Sequence, residues 1–233
     1  MKYLCVLGLA LVLFRSCERD TIKMVGFEIH GIDVSHHQQY IQWDSVAMDD
    51  ISFVFVKATE GATHRDTLFP SNWGEITRVG IKKGAYHFFR PATSAEDQAN
   101  NFIEYVSMDE GDLPPVLDVE VLDEVSKIDL ISRMRTWLYM VELHYDIKPI
   151  IYTNVKFYNQ HLAGHFDEYP YWIARYNDDE PVLKHNADWT FWQYGNRGKI
   201  AGVSGYVDYN VFYGDAQSLD DLCLQPKWVL SIR

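Results

Sequence analysis

Residues 114–120 read Pro-Pro-Val-Leu-Asp-Val-Glu and form the sharpest pattern in this chain of 233 residues. The two prolines end any helix or strand that precedes them, and the apolar residues that follow predict a buried strand. Asp118 and Glu120 lie two positions apart, so both side chains emerge from one face of that strand. Their Cα atoms are then ~6.6 Å apart, from the rise per strand residue. The segment therefore predicts a strand that delivers two carboxylates to one place.

A close pair of carboxylates has a chemical use. Each negative charge raises the pKa of the other group, so that Asp118 or Glu120 can keep a proton near neutral pH. The protonated group can act as a general acid while its ionised neighbour stabilises a positively charged transition state, as in glycosidic cleavage. The Cα spacing alone does not decide between retention and inversion. A solvated strand end and a divalent-cation site are the alternative interpretations.

Seven further apolar runs end in polar residues as this one does, at 27–34, 51–56, 81–89, 149–153, 171–174, 190–193 and 206–211. Segments with helical periodicity lie between several of them, at 42–48, 71–79, 94–108, 126–144 and 156–162. This alternation predicts a parallel sheet, and eight strands predict a closed barrel. The connections at 178–186 and 195–205 are loop-like. We therefore expect an α/β fold, a single irregular (β/α) barrel with about eight strands and fewer helices than a full TIM barrel.

A barrel brings the carboxyl ends of its strands together, and polar residues collect there in this sequence. Asp33 ends the first run and Asp208 lies in the last, and these two strands are neighbours in a closed barrel. Both acids can then face the same cavity as Asp118 and Glu120, although a role in a turn or a helix cap is the alternative for Asp33. The pair His36-His37 lacks a third convergent ligand at a familiar spacing, so we predict no metal site.

The composition excludes some classes of function. The net charge of −12 argues against a protein that binds nucleic acid by neutralising phosphates. Aromatic residues make up 15% of the chain. Many of them must pack in the core, and the remainder suit a cleft in which rings lie against sugars. The motifs occupy nearly the whole chain, so we expect one catalytic domain, and we expect a monomer.

The first 17 residues have the layout of a secretory signal, with a basic start and a short apolar run that is too short to span a bilayer. Cys17 follows that run directly, which is typical of a bacterial lipoprotein signal and would make Cys17 a lipid anchor. Cleavage by an ordinary signal peptidase near the same place is the alternative. We predict a signal peptide at 1–17, a linker at 18–28, the catalytic barrel at 29–223 and a tail at 224–233. The protein is then exported and either anchored to the cell envelope or secreted.

Eight motifs occur in order along the chain, and together they resemble the family 25 glycoside hydrolases, lysozyme-type N-acetylmuramidases that cut the glycan of bacterial cell walls. They lie at 31–37 with Ile41 and Trp43, and at 53–61, 84–90, 117–120, 151–153, 172–176, 191–194 and 207–210. Each motif is weak alone, but the ordered match from about residue 29 to 222 is specific.

The resemblance implies that Glu120 is the acid/base and Asp118 its partner, either as nucleophile or by orienting the N-acetyl group of the substrate, with net retention. It also implies that Asp33 and Asp208 are supporting acids and that no cofactor is needed. Peptidoglycan strands are the implied partner. The residues implied to line the sugar groove are Lys57, Tyr86, Tyr152, Trp172 and Gln193.

The sequence departs from the family pattern in two places, the turn after the first strand and the C-terminal tail. Gln38, Gln39 and Tyr40 stand where relatives often have a shorter turn that contains glycine, and only a short tail follows the barrel where many relatives carry wall-binding repeats. A glycan-binding barrel without catalysis and a hydrolase of another N-acetylated glycan, such as chitin, are the competing functions.

Overall fold

The computed structural model describes residues 24–226, so the predicted signal peptide, Cys17 and the tail from residue 227 onward lie outside the described residues. The strands in this range are β1 (Ile29–Val34), β2 (Phe53–Glu60), β3 (His64–Arg65), β4 (Lys82–Phe88), β5 (Val116–Asp118), β6 (Ile150–Asn154), β7 (Tyr171–Ala174), β8 (Phe191–Gly198) and β9 (Val207–Phe212). They form one sheet in the order β1-β9-β8-β7-β6-β5-β4-β2-β3.

The sheet closes into a barrel because β1 pairs with β2 on one side and with β9 on the other. Parallel pairing continues from β2 through β4, β5, β6 and β7 to β8. The short strand β3 is an antiparallel addition to the end of β2. The predicted irregular barrel of about eight strands is thus confirmed, with β3 outside it.

The last strand of the barrel differs from the predicted parallel arrangement. β9 runs antiparallel to both of its neighbours, β8 and β1. Residues 199–206 return the chain directly, whereas another parallel strand would need a long crossover connection. The expectation of a parallel strand was wrong here because an apolar run does not encode the direction of its strand. The reversal places the beginning of β9, where Asp208 lies, beside the carboxyl ends of the other strands.

The helices are α1 (Trp43–Val46), α2 (Phe69–Val79), α3 (Ala95–Tyr105), α4 (Lys127–Tyr145), α5 (Val155–Phe157) and α6 (Ala216–Leu222). The first five overlap the predicted segments, and α5 continues into a π-helical turn at Tyr158–Leu162. Ser94 and Ser126 cap α3 and α4, each accepting a backbone N–H three residues ahead at 3.1 Å. Helix α6 was not predicted; it is seven residues long and capped by Asp215. Within residues 24–226 no helix is long and apolar enough to cross a bilayer.

Two apolar layers stabilise the barrel, because successive side chains of a strand point to opposite sides. Residues such as Ile32 and Val54 point outward and pack under the helices. The alternate residues of each strand point inward and fill the barrel with aromatic rings. We call this layer of rings the aromatic floor. It consists of Phe53, Phe55, Trp172, Phe191 and Phe212.

Two glycines make room for the aromatic floor. A Cβ atom on Gly31 would lie 2.5 Å from the ring of Phe53, and one on Gly84 would lie 2.7 Å from the ring of Phe55. Real Cβ atoms do not approach rings so closely, so a side chain at either position would displace the floor. The glycines of the motifs at 31–37 and 84–90 therefore serve packing within the barrel.

Candidate active site

An open cleft of about 240 Å³ lies above the aromatic floor, at the carboxyl ends of the parallel strands. All nine residues that the sequence analysis assigns to the site line this cleft, together with Phe88 and Tyr176, which it did not assign. The lining residues are Asp33, Lys57, Tyr86, Phe88, Asp118, Glu120, Tyr152, Trp172, Tyr176, Gln193 and Asp208. A larger hollow of about 930 Å³ near Tyr145 and Cys223 has carboxylates on exposed side chains only, so it offers no comparable chemistry.

Strand β5 positions the central pair of acids. Asp118 is its last residue and Glu120 follows two positions later, while the intervening Val119 is fully buried in the outer layer. The backbone is fixed on both sides of the strand, because Phe89 N donates to Asp118 O at 2.8 Å and Val119 N donates to Tyr152 O at 2.9 Å. Asp118 is 5% exposed, and its Oδ1 atom has no hydrogen-bond partner among residues 24–226.

Both members of this pair bind protons more tightly than ordinary carboxyl groups. Burial raises the pKa of Asp118 well above its usual range, and the charge of Glu120 raises it further, while Lys57 acts in the opposite direction. Burial also raises the pKa of Glu120, although a hydrogen bond with Asn154 opposes the effect. The site therefore favours a proton on this pair, as general acid catalysis requires.

A second pair of acids forms across the seam between β1 and β9. Asp33 lies opposite Asp208 in the antiparallel ladder, and each carboxyl group changes the pKa of the other. Burial, followed by the charge of Asp208, raises the pKa of Asp33 well above its usual range, and burial raises the pKa of Asp208 to about 6. Both pKa values are raised, so the pair shares a proton at a higher pH than two isolated carboxyl groups would.

Side-chain amides hold Asp33 in place. Gln193 Nε2 and Asn210 Nδ2 both donate to Asp33 Oδ2 at 2.8 Å. The amide oxygens are satisfied in turn: Tyr152 and Tyr176 donate their hydroxyl groups to Gln193 Oε1 at 2.8 and 2.9 Å. The two tyrosines thereby fix the orientation of the Gln193 amide.

Trp172 belongs to the same network, and its indole Nε1 donates to Asn210 Oδ1 at 2.8 Å. Its ring stacks on Phe55 with 4.4 Å between centroids and is only 2% exposed. Trp172 therefore supports the floor of the cleft more than it presents a ring to solvent. Asn210 was missed as a functional residue, although it is two positions from Asp208 and on the same face of β9.

Lys57, on β2, brings a positive charge to the lining of the cleft. Its Nζ donates to Glu60 Oε2 at 2.8 Å and lies 5.2 Å from the centroid of the Phe88 ring. Glu60 in turn lies 3.8 Å from Arg90, measured from Oε1 to Nη1. The positive charge of Lys57 acts on Asp118, where it opposes the rise in the pKa of that carboxyl group.

Among the described residues no group of three or more His, Cys, Asp or Glu side chains has the arrangement of a metal site. His36 and His37 lie in a 3-10 helix, and His36 Nδ1 lies 2.6 Å from Asp66 Oδ2. His36 therefore connects the loop after β1 to Asp66, and neither histidine is among the residues that line the cleft.

Comparison with known proteins gives a consistent result. The model of the glycosyl hydrolases family 25 matches residues 32–203. The chain is 44% identical to YegX of Escherichia coli strain K12 over 198 residues, which cover 83% of this chain and 72% of YegX. It is 37% identical to lysozyme M1 of Streptomyces globisporus over 205 residues, which cover 82% of this chain and 70% of that lysozyme.

The fold agrees with a solved structure as well. A family 25 glycosyl hydrolase from Bacillus anthracis superposes with a TM-score of 0.81 at 34% identity, covering 85% of this chain and 95% of the other.

Proposed function

The chain belongs to the glycosyl hydrolases of family 25 and is a glycoside hydrolase, and from this premise we propose that it is a muramidase. Its substrate is the glycan of peptidoglycan, cut at the β-1,4 bond between N-acetylmuramic acid and N-acetylglucosamine. The observation that carries the proposal is the cleft in which four acids meet in two pairs, each with one buried and one half-buried member: Asp118 with Glu120, and Asp33 with Asp208.

In this proposal Glu120 is the general acid. Its carboxyl group gives a proton to the glycosidic oxygen as the bond from that oxygen to the anomeric carbon breaks. The resulting carboxylate then accepts a proton from the water that attacks the anomeric carbon, so Glu120 regains its starting form. Partial exposure of Glu120 fits this role because the group must reach both the sugar and water.

Asp118 has two possible roles, both of which give net retention. As a nucleophile it would form a bond to the anomeric carbon, and as an orienting group it would accept the N–H of the substrate's acetamido group, whose oxygen then attacks that carbon. We favour the second role because Asp118 Oδ1 is buried without a partner in the described part of the chain, and an acetamido N–H would supply the missing hydrogen bond. The same donor would stabilise the ionised form of Asp118.

The remaining residues of the cleft bind and organise the sugar. Lys57 and the hydroxyl groups of Tyr86 and Tyr152 are positioned to contact polar groups of the substrate, while Gln193 and Trp172 act through Asp33 and Asn210. Asp33 and Asp208 tune the charge of the cleft, because their shared proton lowers its negative charge while the site is open.

We place the protein outside the cytoplasm, since its substrate is the wall. The leader at 1–17 supports export, and Cys17 supports a lipid anchor. Labelling with a clickable fatty acid tests the anchor, and a chain without label would be a secreted form. We further propose that the barrel at 29–223 acts as a monomer, which sedimentation analysis would test.

Mass spectrometry of digested peptidoglycan tests the function directly. The expected products end in reducing N-acetylmuramic acid, and Glu120→Gln is expected to abolish them while the protein remains folded by circular dichroism. Products that end in reducing N-acetylglucosamine would contradict the proposed bond. Binding to walls without any release of reducing ends would support a glycan-binding barrel, and faster cleavage of chitin would point to another glycan.

A further inference from the structure

A small cationic patch lies on the hairpin that joins β8 to β9. Arg197 Cζ and Lys199 Nζ are each 5.6 Å from the centroid of the Tyr206 ring, and all three side chains are exposed. We call Arg197, Lys199 and Tyr206 the Tyr206 patch. In the described part of the chain neither cation forms an ion pair with a carboxylate. Two cations without counter-charges are unexpected in a chain with a net charge of −12.

The patch borders the cleft on the side of the Asp33–Asp208 pair. Tyr206 lies just before β9 and precedes Asp208 by two positions, which corresponds to at most ~7 Å along the chain. The loop after β1 also reaches it, because Gln38 Nε2 donates to Tyr206 O at 3.1 Å. A polymer that leaves the cleft over Asp208 would therefore meet the patch.

Backbone contacts hold the patch in position. Tyr209 donates its hydroxyl group to Lys199 O at 2.7 Å and accepts Lys199 N at 3.1 Å. The tip of the hairpin contacts the start of α1, where Gln42 N donates to Gly202 O at 2.8 Å, and a Cβ atom on Gly202 would lie 2.5 Å from Gln42 O. The cations are thus presented on an ordered hairpin, which lowers the entropic cost of binding.

We propose that the Tyr206 patch is a subsite for the acidic stem peptide that N-acetylmuramic acid carries on its lactyl group. This inference rests on the proposed function. The glycan backbone itself offers little negative charge, whereas the stem carries free carboxylates, which guanidinium and ammonium groups bind with charge-assisted hydrogen bonds. The patch would then determine which muramic acid units enter the cleft, without taking part in bond cleavage.

The test compares two forms of one substrate: glycan strands that carry stem peptides, and the same strands after an amidase has removed them. The amidase leaves one free lactyl carboxylate on each muramic acid, close to the sugar ring, and removes the carboxylates of the stem that the patch is proposed to bind. Arg197→Gln/Lys199→Gln is expected to raise KM for the peptide-bearing strands about 2- to 30-fold, the range for two exposed charge pairs, and to leave kcat unchanged. KM for the stripped strands is expected to stay the same. Added salt should raise KM of the wild-type protein for peptide-bearing strands more than that of the variant.

A matched control removes two cations that also lie over aromatic rings but far from the cleft. Arg135 lies 5.2 Å from the Phe166 ring and Lys148 lies 5.6 Å from the Tyr169 ring, and both are exposed. Arg135→Gln/Lys148→Gln is expected to match the wild-type protein on both substrates, which separates a local effect from a change in overall charge.

The outcomes separate the subsite from the proposed function. Equal KM values of the patch variant and the wild-type protein for peptide-bearing strands would overturn the subsite, as would an equal loss on both kinds of strand, while cleavage by the wild-type protein would still support the muramidase. If the wild-type protein cleaves neither strand, the muramidase is wrong, and the subsite is judged by co-sedimentation with the two kinds of strand. Equal retention of both would then overturn it.

Discussion

Asp33 and Asp208 face each other across the antiparallel ladder of β1 and β9, and their carboxyl groups interact inside a cleft that also contains Asp118 and Glu120. This pair lies at the seam where the barrel closes, so the last strand both completes the sheet and completes the site. The protons held by the two pairs make the stability and the activity of the protein depend on pH.

The Asp33–Asp208 pair is expected to destabilise the folded protein as the pH rises. Asp208 has a pKa of about 6 in the folded state against an ordinary value of 3.8, so the native state binds more protons than the unfolded state between these values. Its contribution to stability is therefore greatest below pH ~4 and is lost through pH ~6. Asp208→Asn should match the wild-type protein at pH 3.5 and exceed it by on the order of 1–3 kcal/mol at pH 7.5.

Denaturant titrations of both proteins across this range measure the difference. The same variant should lose muramidase activity, because Asn cannot supply the charge that Asp208 brings to the cleft. A variant that is more stable at pH 3.5 and equal at pH 7.5 would contradict the shared-proton interpretation.

Asp118→Asn is expected to reduce kcat about 10²- to 10⁴-fold while the fold is retained, since the acid contacts the reacting sugar in either proposed role. Asp118→Ala with added azide distinguishes the roles. If the substrate's acetamido group is the nucleophile, azide should restore no activity and no glycosyl azide should form. Recovery of turnover with azide would instead identify Asp118 as the nucleophile.

Lys57→Met is expected to shift the acid limb of the pH profile of kcat/KM to higher pH. Lys57 lowers the pKa of Asp118, so its removal leaves less of the ionised carboxylate at a given pH. Activity at pH 5 should fall more than activity at pH 7. Lys148→Met, at the other end of the barrel, is the control and should leave the pH profile unchanged. An unshifted profile of Lys57→Met would contradict an electrostatic role of Lys57.

Gly31→Ala tests the packing of the aromatic floor. The added methyl group would overlap the Phe53 ring, which is expected to cost about 1–3 kcal/mol of unfolding free energy. Gly74→Ala is the control: Gly74 lies within α2 with open space around its Cβ position, and this change should stabilise the protein by ~0.5–1 kcal/mol. Thermal unfolding of both variants gives the comparison, and equal shifts in Tm would contradict the packing argument.

Much of the architecture could be predicted because it depends on local patterns. Apolar runs that end in acids identify β1 and β5, and helical periodicity identifies α3 and α4 to within a few residues. The direction of β9 could not be predicted, because side-chain alternation is the same for a strand that runs either way. The short helix α6 was missed because its seven residues carry little periodicity.

The residues that line the cleft could also be predicted only in part. Its acids could be predicted because a buried charged side chain within an apolar segment costs free energy, so its presence indicates a functional role. Tyr176 and Asn210 lie in the family motifs, but their roles arise from hydrogen bonds to Gln193 and Asp33, whose strands are far apart in sequence. Contacts of this kind depend on the register of the closed barrel, which no local pattern contains.

The aromatic floor has a consequence for the supply of protons to the reaction. Rings fill the barrel beneath the acids, so Asp118 and Asp33 meet water only through the mouth of the cleft. A glycan in the cleft lies across this route, and the water that completes hydrolysis must enter beside it. The acids therefore exchange protons with the solvent from the same side on which the substrate arrives.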